Sequence, residues 1–185
     1  EISACLVGSE MCIRDSSPLE TIEISQALGS HGIRVVSAQV QLSMIEQRGT
    51  NDLVGVCKSL GIEVCANRVF ARGLLVRPGA ENSVRELSSH RIKAKRESRN
   101  KDLKVFMEIA ADIGIEPMHL ALRWVFEAAC ADRAIIGISR PGQITQAVEA
   151  ISWPTGKIDW ASLESRNREF FRSSREYPIS YLDES

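Results

Sequence analysis

The chain has 185 residues, a formal net charge of -1 and 44% hydrophobic residues. Length and apolar content suffice for one sizeable core, and the near-balanced charge gives no reason to expect nucleic acid or an anionic membrane as a partner. No apolar run approaches the ~20 residues that a membrane helix needs.

The opening stretch EISACLVGSEMCIRDS, Glu1 to Ser16, follows neither a helical nor a strand period and reads as no element of a fold. The next segment, SPLETIEISQALGSHG, reads as a helix. Ser17 can cap it, Pro18 suits its first turn, Leu19, Ile22, Ile24 and Leu28 supply apolar positions, and the Gly29–Gly32 region ends it. IRVVSAQVQ is rich in β-branched residues and reads as a strand. NDLVGVCKSLG is a helix with Asn51 or Asp52 at its start and Gly61 at its stop. IEVCANRVFARGLL is a second strand running into a loop.

RPGAENSVRELSSHRIKAKRESRN is long, polar and basic, and reads as a loop of the length usually kept for function. The spacing then predicts a helix over KDLKVFMEIAADIG, with Leu103, Phe106, Ile109, Ala110 and Ile113 on one face. A further helix covers EPMHLALRWVFEAAC, with Pro117 in its first turn. RAIIGIS is a third strand, with Ala134 to Ile136 as its apolar body, and PGQITQAVEAIS a helix after it. DWASLESRNREFF is a terminal helix capped by Asp159, and the tail from Ser173 is expected to be loose. Strands alternating with helices imply a parallel sheet of βα units. Such a sheet is normally covered on both faces, so the chain reads as part of a larger α/β fold.

The five cysteines, Cys5, Cys12, Cys57, Cys65 and Cys130, are odd in number and contain no CxxC pair, so neither a disulfide framework nor a zinc site is indicated. Cys57, Cys65 and Cys130 lie in apolar patterns and are expected as reduced core residues of a cytoplasmic protein. His31, His90 and His119 match no metal spacing.

In parallel α/β folds, sites form at the carboxyl ends of the strands. In IIGISRPGQITQAVEA, Gly137 lets backbone approach a ligand, Ser139 can cap, and the free N–H groups of the helix start can bind an anion beside Arg140. Phosphate binding and a plain strand–helix turn with a solvated arginine both fit. In ANRVFARGLL, Arg68 and Arg72 stand at a strand mouth, as anion ligands or as surface residues. Gln39 and Gln41 point the same way on their strand, where a glutamine can bond a planar amide or merely satisfy backbone.

Together these strand ends resemble the C-terminal half of the aldo-keto reductases, over Ser17 to about Phe171. AQVQLSMIEQR is similar to that family's strand-six segment, GIEVCANRVFARGLL to its strand-seven segment, and SSHRIKAKRES to its long loop with a His-Arg pair. LALRWVF and IIGISRPGQI resemble its last helix–strand–helix portion. The resemblance implies an α/β fold, the C-terminal part of a (β/α)8 TIM barrel containing about strands six to eight with their helices. It implies an oxidoreductase that transfers hydride between NADP(H), NAD being less favoured, and a small-molecule aldehyde, ketone or alcohol. Gln39 then contacts the nicotinamide amide, and Phe70, Arg72 and Gly73 flank the pyrophosphate, with Ala71 between them. Gly137, Ile138, Ser139 and Arg140 meet the 2′-phosphate and ribose, with Gln143 close by and Gln146 near the adenine. Three positions depart from the family pattern: Ala147 replaces an asparagine at the adenine, Asn67 replaces the aromatic that stacks on the nicotinamide, and Arg68 replaces the following serine.

The family's Asp, Tyr, Lys and His tetrad lies on or just after its first four strands, and no residue here takes a catalytic role. The two tyrosines, Tyr177 and Tyr181, lie in the tail. The resemblance therefore implies a fragment that is inactive by itself and exposes open sheet edges. Alternatives are a non-catalytic nucleotide-sensing binding protein on the same scaffold, like the channel β-subunits, or an unrelated phosphate-binding barrel. Back-translated with allowed codons, residues 1–16 resemble a translated sequencing adapter joined to a gene at Ser17, which gives segments 1–16, 17–172 and a tail 173–185.

Overall fold

The computed structural model describes residues 10–14, 16–47, 52–76, 90–138, 140–152 and 158–176, with side chains at 90–99 and 176 left undescribed. Its core is a parallel sheet of four strands in the order β1-β2-β3-β4. The strands are β1 (Glu10–Arg14), β2 (Arg34–Gln41), β3 (Glu63–Asn67) and β4 (Arg133–Ala134).

Local chemistry accounts for most of the elements. Helix α1 (Pro18–Gly29) starts on a reciprocal cap. The Ser17 hydroxyl accepts from the Glu20 N–H at 3.3 Å, and the Glu20 carboxylate accepts from the Ser17 N–H at 2.6 Å. That backbone hydrogen bond, with the hydroxyl contact, holds the Glu20 carboxyl below its ordinary value. The helix ends where Gly32 takes a φ of 72°, which glycine adopts without strain. Helix α2 (Leu53–Ser59) buries Leu53, Val54 and Cys57 and ends before Gly61 at φ 68°. Asp52 precedes it, but its side chain makes no capping bond because its backbone is already helical.

Alternation divides the sheet into two unlike faces. Ile13, Ala38, Val40, Val64 and Ala66 are all at most 5% exposed, and α1 and α2 pack against β2 and β3 on this side. The opposite face carries Cys12, Ser37, Gln39, Gln41, Cys65 and Asn67, all half-buried, with Glu63 and Arg133 exposed and bridged at 2.9 Å. Two covered faces were expected; among the described residues the helices cover one. A closed barrel turns such a second face toward its own axis.

Four segments correct the sequence reading. Glu10–Arg14, within the stretch that shows no period, is a strand paired in parallel with β2, whereas about three strands were expected. A bulge between Met11 and Cys12 shifts the register there, and this breaks the alternation that marks a strand. The basic loop is helical in its second half: α3 (His90–Ile113) runs for 24 residues. That span holds no glycine or proline and is rich in Lys, Arg, Ala and Glu, all good helix formers. Residues 77–89 lie outside the described ones. Strand β4 has two residues rather than the Ala134–Ile136 body, because its ladder has β3 on one side and no strand on the other among the described residues. Ser173–Glu176, expected as loose tail, are the last turn of α7 (Arg168–Glu176), and Ser174 is fully buried.

Between these lie α4 (Pro117–Arg123), a π-helical turn at Trp124–Ala128, α5 (Gly142–Ser152) and α6 (Trp160–Arg166), whose first turn is capped by Asp159 accepting from the Ser162 N–H at 3.0 Å. Phe106 on α3 is fully buried, and Leu120, Leu122 and Val125 join it in one core. Cys57 is buried in the core as expected, but Cys65 is only half-buried, on the polar face of the sheet, and Cys130 is exposed, in a turn where its own φ is 55°.

Candidate active site at the strand ends

Parallel order brings the carboxyl ends of β2, β3 and β4 side by side. Gln41 is level with Asn67, the Leu42 N–H donates to the Asn67 carbonyl at 3.1 Å, and the Ile135 N–H donates to the Ala66 carbonyl at 2.7 Å. The three segments that the sequence marks as candidate chemistry therefore share one mouth of the sheet.

On β2, Gln39 is half-buried on the polar face, level with Cys65 and, one strand on, Arg133. Gln41, one pleat further, accepts from the Arg68 Nη1 at 2.9 Å. Arg68 is half-buried and clamps two strand ends together. After β3 the backbone tightens into the 3-10 turn Ala71–Val76. Arg68, Ala71, Arg72 and Gly73 take φ values of 55°, 47°, 61° and 92°. Positive φ costs a non-glycine residue about 1 kcal/mol or more. The turn is held by the Ala71 N–H on the Arg68 carbonyl at 2.7 Å and the Gly73 N–H on the Phe70 carbonyl at 2.8 Å. It buries Ala71, Leu74 and Leu75, leaves Phe70 half-buried and Gly73 partly open, and exposes Arg72 at the mouth.

After β4, Gly137 is exposed, and a Cβ built on it meets nothing within 4 Å. Ile138 is 40% exposed, Ser139 lies outside the described residues, and Arg140 is exposed. The Arg140 N–H donates to the Gln143 Oε1 at 3.0 Å, so a side chain of α5 occupies one of the donors at the start of its own helix. Gln146 is exposed, and Ala147 is 5% exposed against α4. A small residue suits that packed position, which accounts locally for the alanine found there.

The mouth also holds an unmet acceptor and an open stretch of backbone. The Asn67 Oδ1 is buried at the strand end without a hydrogen-bond donor, and buried carbonyl oxygens normally have one. An amide N–H from a ligand could satisfy it. Gly137 has open space over its backbone, and an unbranched backbone is what close phosphate approach requires. Burial pushes the Cys65 thiol up, aided by the nearby Cys12, so it is a poor nucleophile at neutral pH. Among the described residues no group of His, Cys, Asp or Glu could hold a metal ion, and no helix is long and apolar enough to cross a membrane.

Two further polar features escaped the sequence reading. A cleft of about 270 Å³ lies away from the sheet mouth, between α3 and the α6–α7 corner, with Asp102, Arg166, Asn167 and Ser173 in its walls. Asp102 is 4% exposed and accepts from the Ser173 hydroxyl at 3.1 Å, and burial pushes its carboxyl up. The signal was the spacing: Asp102 stands four residues before Phe106 on the buried face of α3. The charged form is penalised in the folded state, so the penalty operates above the ordinary aspartate value of 3.8 and vanishes below it. Asp102→Asn is therefore expected to melt higher than the parent at neutral pH and to lose that advantage below 3.8. Thermal melts across that range check this, and a difference independent of pH contradicts it. The second feature joins the π-helical turn to α6. The Glu127 carboxylate accepts from Arg123 Nε at 2.7 Å and from Trp160 Nε1 at 2.9 Å.

Compared with known families, residues 17–168 match the family model described as Aldo/keto reductase family. The matched span runs from the cap of α1 to the first residue of α7, and β1 precedes it. Comparison with curated proteins gives no match.

Proposed function

The chain belongs to the aldo/keto reductase family, and we propose on that footing that it carries the cofactor-gripping portion of an NADP(H)-dependent oxidoreductase acting on small carbonyl compounds. The observation that carries this reading is the convergence of the β2, β3 and β4 ends at one mouth. When bound, the nicotinamide supplies or accepts the hydride. This chain's residues hold and orient it. Gln39 and Asn67 offer hydrogen bonds to the carboxamide, Phe70, Arg72 and Gly73 flank the pyrophosphate, and Gly137, Ile138, Ser139 and Arg140 take the ribose and its 2′-phosphate. Gln143 swings off the Arg140 N–H to admit the phosphate, and Gln146 lies toward the adenine.

A fork-shaped arginine beside a helix start favours the extra phosphate of NADP(H) over NAD(H). The unpaired cysteines Cys12, Cys57, Cys65 and Cys130 suit a reducing, cytoplasmic setting. No residue matching the family's proton-donating tyrosine lies in the matched span, since both tyrosines fall after it. The 185-residue chain by itself therefore holds cofactor without turning over. The test is a pair of readings on one sample: fluorescence of NADPH on addition of the chain, then absorbance of the reduced cofactor after addition of an aldehyde. Binding without consumption is expected. Consumption at an ordinary reductase rate would overturn the inactive reading, and a folded chain that leaves NADPH fluorescence unchanged would overturn the cofactor assignment.

Gly137 gives a sharper check. A Cβ there meets nothing in the protein, so Gly137→Ala is expected to leave the melting temperature unchanged or slightly raised. It is expected to weaken NADPH binding severalfold by blocking close backbone approach. Unchanged affinity would place the phosphate elsewhere.

A further inference from the structure

The cleft between α3 and the α6–α7 corner shares no wall residue with the strand-end mouth. This chain's own elements bound it on both sides, with Lys101, Asp102 and Val105 from α3 in one wall and Arg166, Phe170 and Ser173 in the other. At about 270 Å³ it suits a small metabolite. Its floor is polar and incompletely satisfied. Asp102 is 4% exposed, its Oδ1 accepts from the Ser173 hydroxyl at 3.1 Å, and its Oδ2 has no hydrogen-bond partner. A buried carboxylate normally collects several donors. Here one neutral hydroxyl serves it, and that hydroxyl also donates to the Phe170 carbonyl at 2.9 Å. Burial pushes the Asp102 carboxyl up, so the residue costs the fold stability that an uncharged side chain would not. A costly buried acid in the wall of a cleft marks a candidate binding site.

We propose that this cleft binds a small zwitterion, an amino acid whose ammonium group meets Asp102 and whose carboxylate meets Arg166 and Arg168. An ammonium supplies what the floor lacks, charged donors beside a buried anion, and such a pairing is stronger there than at the open surface. The terminal torsion of an aspartate is soft, so its carboxyl turns to bring the unpartnered oxygen to the ligand. The Ser173 hydroxyl keeps the Phe170 carbonyl as its partner when it gives way. At the rim, the Lys101 ammonium is already held by Glu169 at 2.7 Å. Arg166 and Arg168 are exposed residues of the same cleft, and no ion pair joins either to an acid among the described residues. Their guanidinium forks suit a carboxylate. Val105 and Phe170 add apolar wall for the methylenes of such a ligand. A simple anion is repelled by Asp102, and a simple amine leaves the arginines unmet. The site stands apart from the reductase reading, since the strand-end mouth contributes nothing to it.

Calorimetric titration of the full chain with glycine, β-alanine, γ-aminobutyrate and ε-aminocaproate tests this, with butylamine and butyrate as comparators that carry one charge each. At least one zwitterion is expected to bind saturably, one per chain, and more tightly than either comparator. Asp102→Asn is expected to weaken that binding by on the order of tenfold or more, while melting higher than the parent, so the loss is not one of folding. A variant carrying both Arg166→Ala and Arg168→Ala changes exposed positions only. It is expected to weaken binding severalfold at an unchanged melting temperature. No saturable heat from any of these zwitterions overturns the proposal. So does butylamine or butyrate binding as tightly as the best zwitterion, and so does an unchanged affinity in either variant.

Discussion

Replacing Glu127 by alanine is expected to destabilise the chain by about 3 kcal/mol, read as a shift in the denaturant midpoint at unchanged slope. Arg123 is 3% exposed and its guanidinium rests on the Glu127 carboxylate, at 2.7 Å through Nε and 2.6 Å through Nη2. Taking away the carboxylate leaves a buried cation without its counter-charge, and that cost exceeds the modest net value of the pair itself. Glu127 also accepts from the Trp160 indole at 2.9 Å, so the same change unlatches α6 from the π-helical turn. The control is Trp160→Phe, which keeps most of the packing and removes only the indole N–H. It is expected to cost about 1 kcal/mol. If Glu127→Ala costs no more than Trp160→Phe, the Arg123 pairing is not what holds this corner.

Arg140→Ala is expected to weaken NADPH binding by about 2 kcal/mol, on the order of thirtyfold, and to leave NADH binding nearly unchanged. The contrast follows from the proposed role. A guanidinium on the 2′-phosphate makes charge-assisted bonds that NADH cannot receive. Arg140 is exposed, so its removal is expected to leave the melting temperature within the range of ordinary surface changes. Equal losses for the two cofactors, measured by titration of the variant with each, would assign Arg140 to the shared pyrophosphate instead. No loss for either would remove it from the site.

Much of the fold was legible because its signals are local. Ser17, Pro18 and Glu20 announce α1 by capping chemistry alone, and IRVVSAQVQ and IEVCANRVF announce β2 and β3 by composition. Elements that depend on neighbours were not legible. The alternation of β1 is broken by a register shift that exists only once β2 is beside it. An open sheet edge also accepts any extended backbone, whatever its side chains, so a stretch with no period of its own can be recruited as a strand. β4 is shortened by the lack of a partner on its far side, although RAIIGIS is as apolar as β2. The start of α3 is not legible because its polarity suits a loop and a helix alike: Lys, Arg, Ala and Glu without glycine make a solvated helix just as well.

The candidate site divides the same way. The segments that form it were visible, because Gly73, Gly137 and Arg140 follow strands directly. What each side chain does inside it was not. That Gln143 folds back onto the Arg140 N–H, that Arg68 is engaged by Gln41, and that Ala147 faces α4 all depend on how α5 and the turn after β3 are seated. The buried Asp102 and the Glu127 latch rest on contacts between residues 71 and 33 positions apart, beyond the reach of any periodicity.

The central claim is that these strand ends grip the phosphate-bearing end of NADP(H). A calorimetric titration of the folded chain with NADPH, beside one with NADH, tests it most directly. The account predicts one NADPH bound per chain, with NADH binding at least tenfold more weakly. No heat of binding from NADPH, or equal affinity for the two, would contradict it.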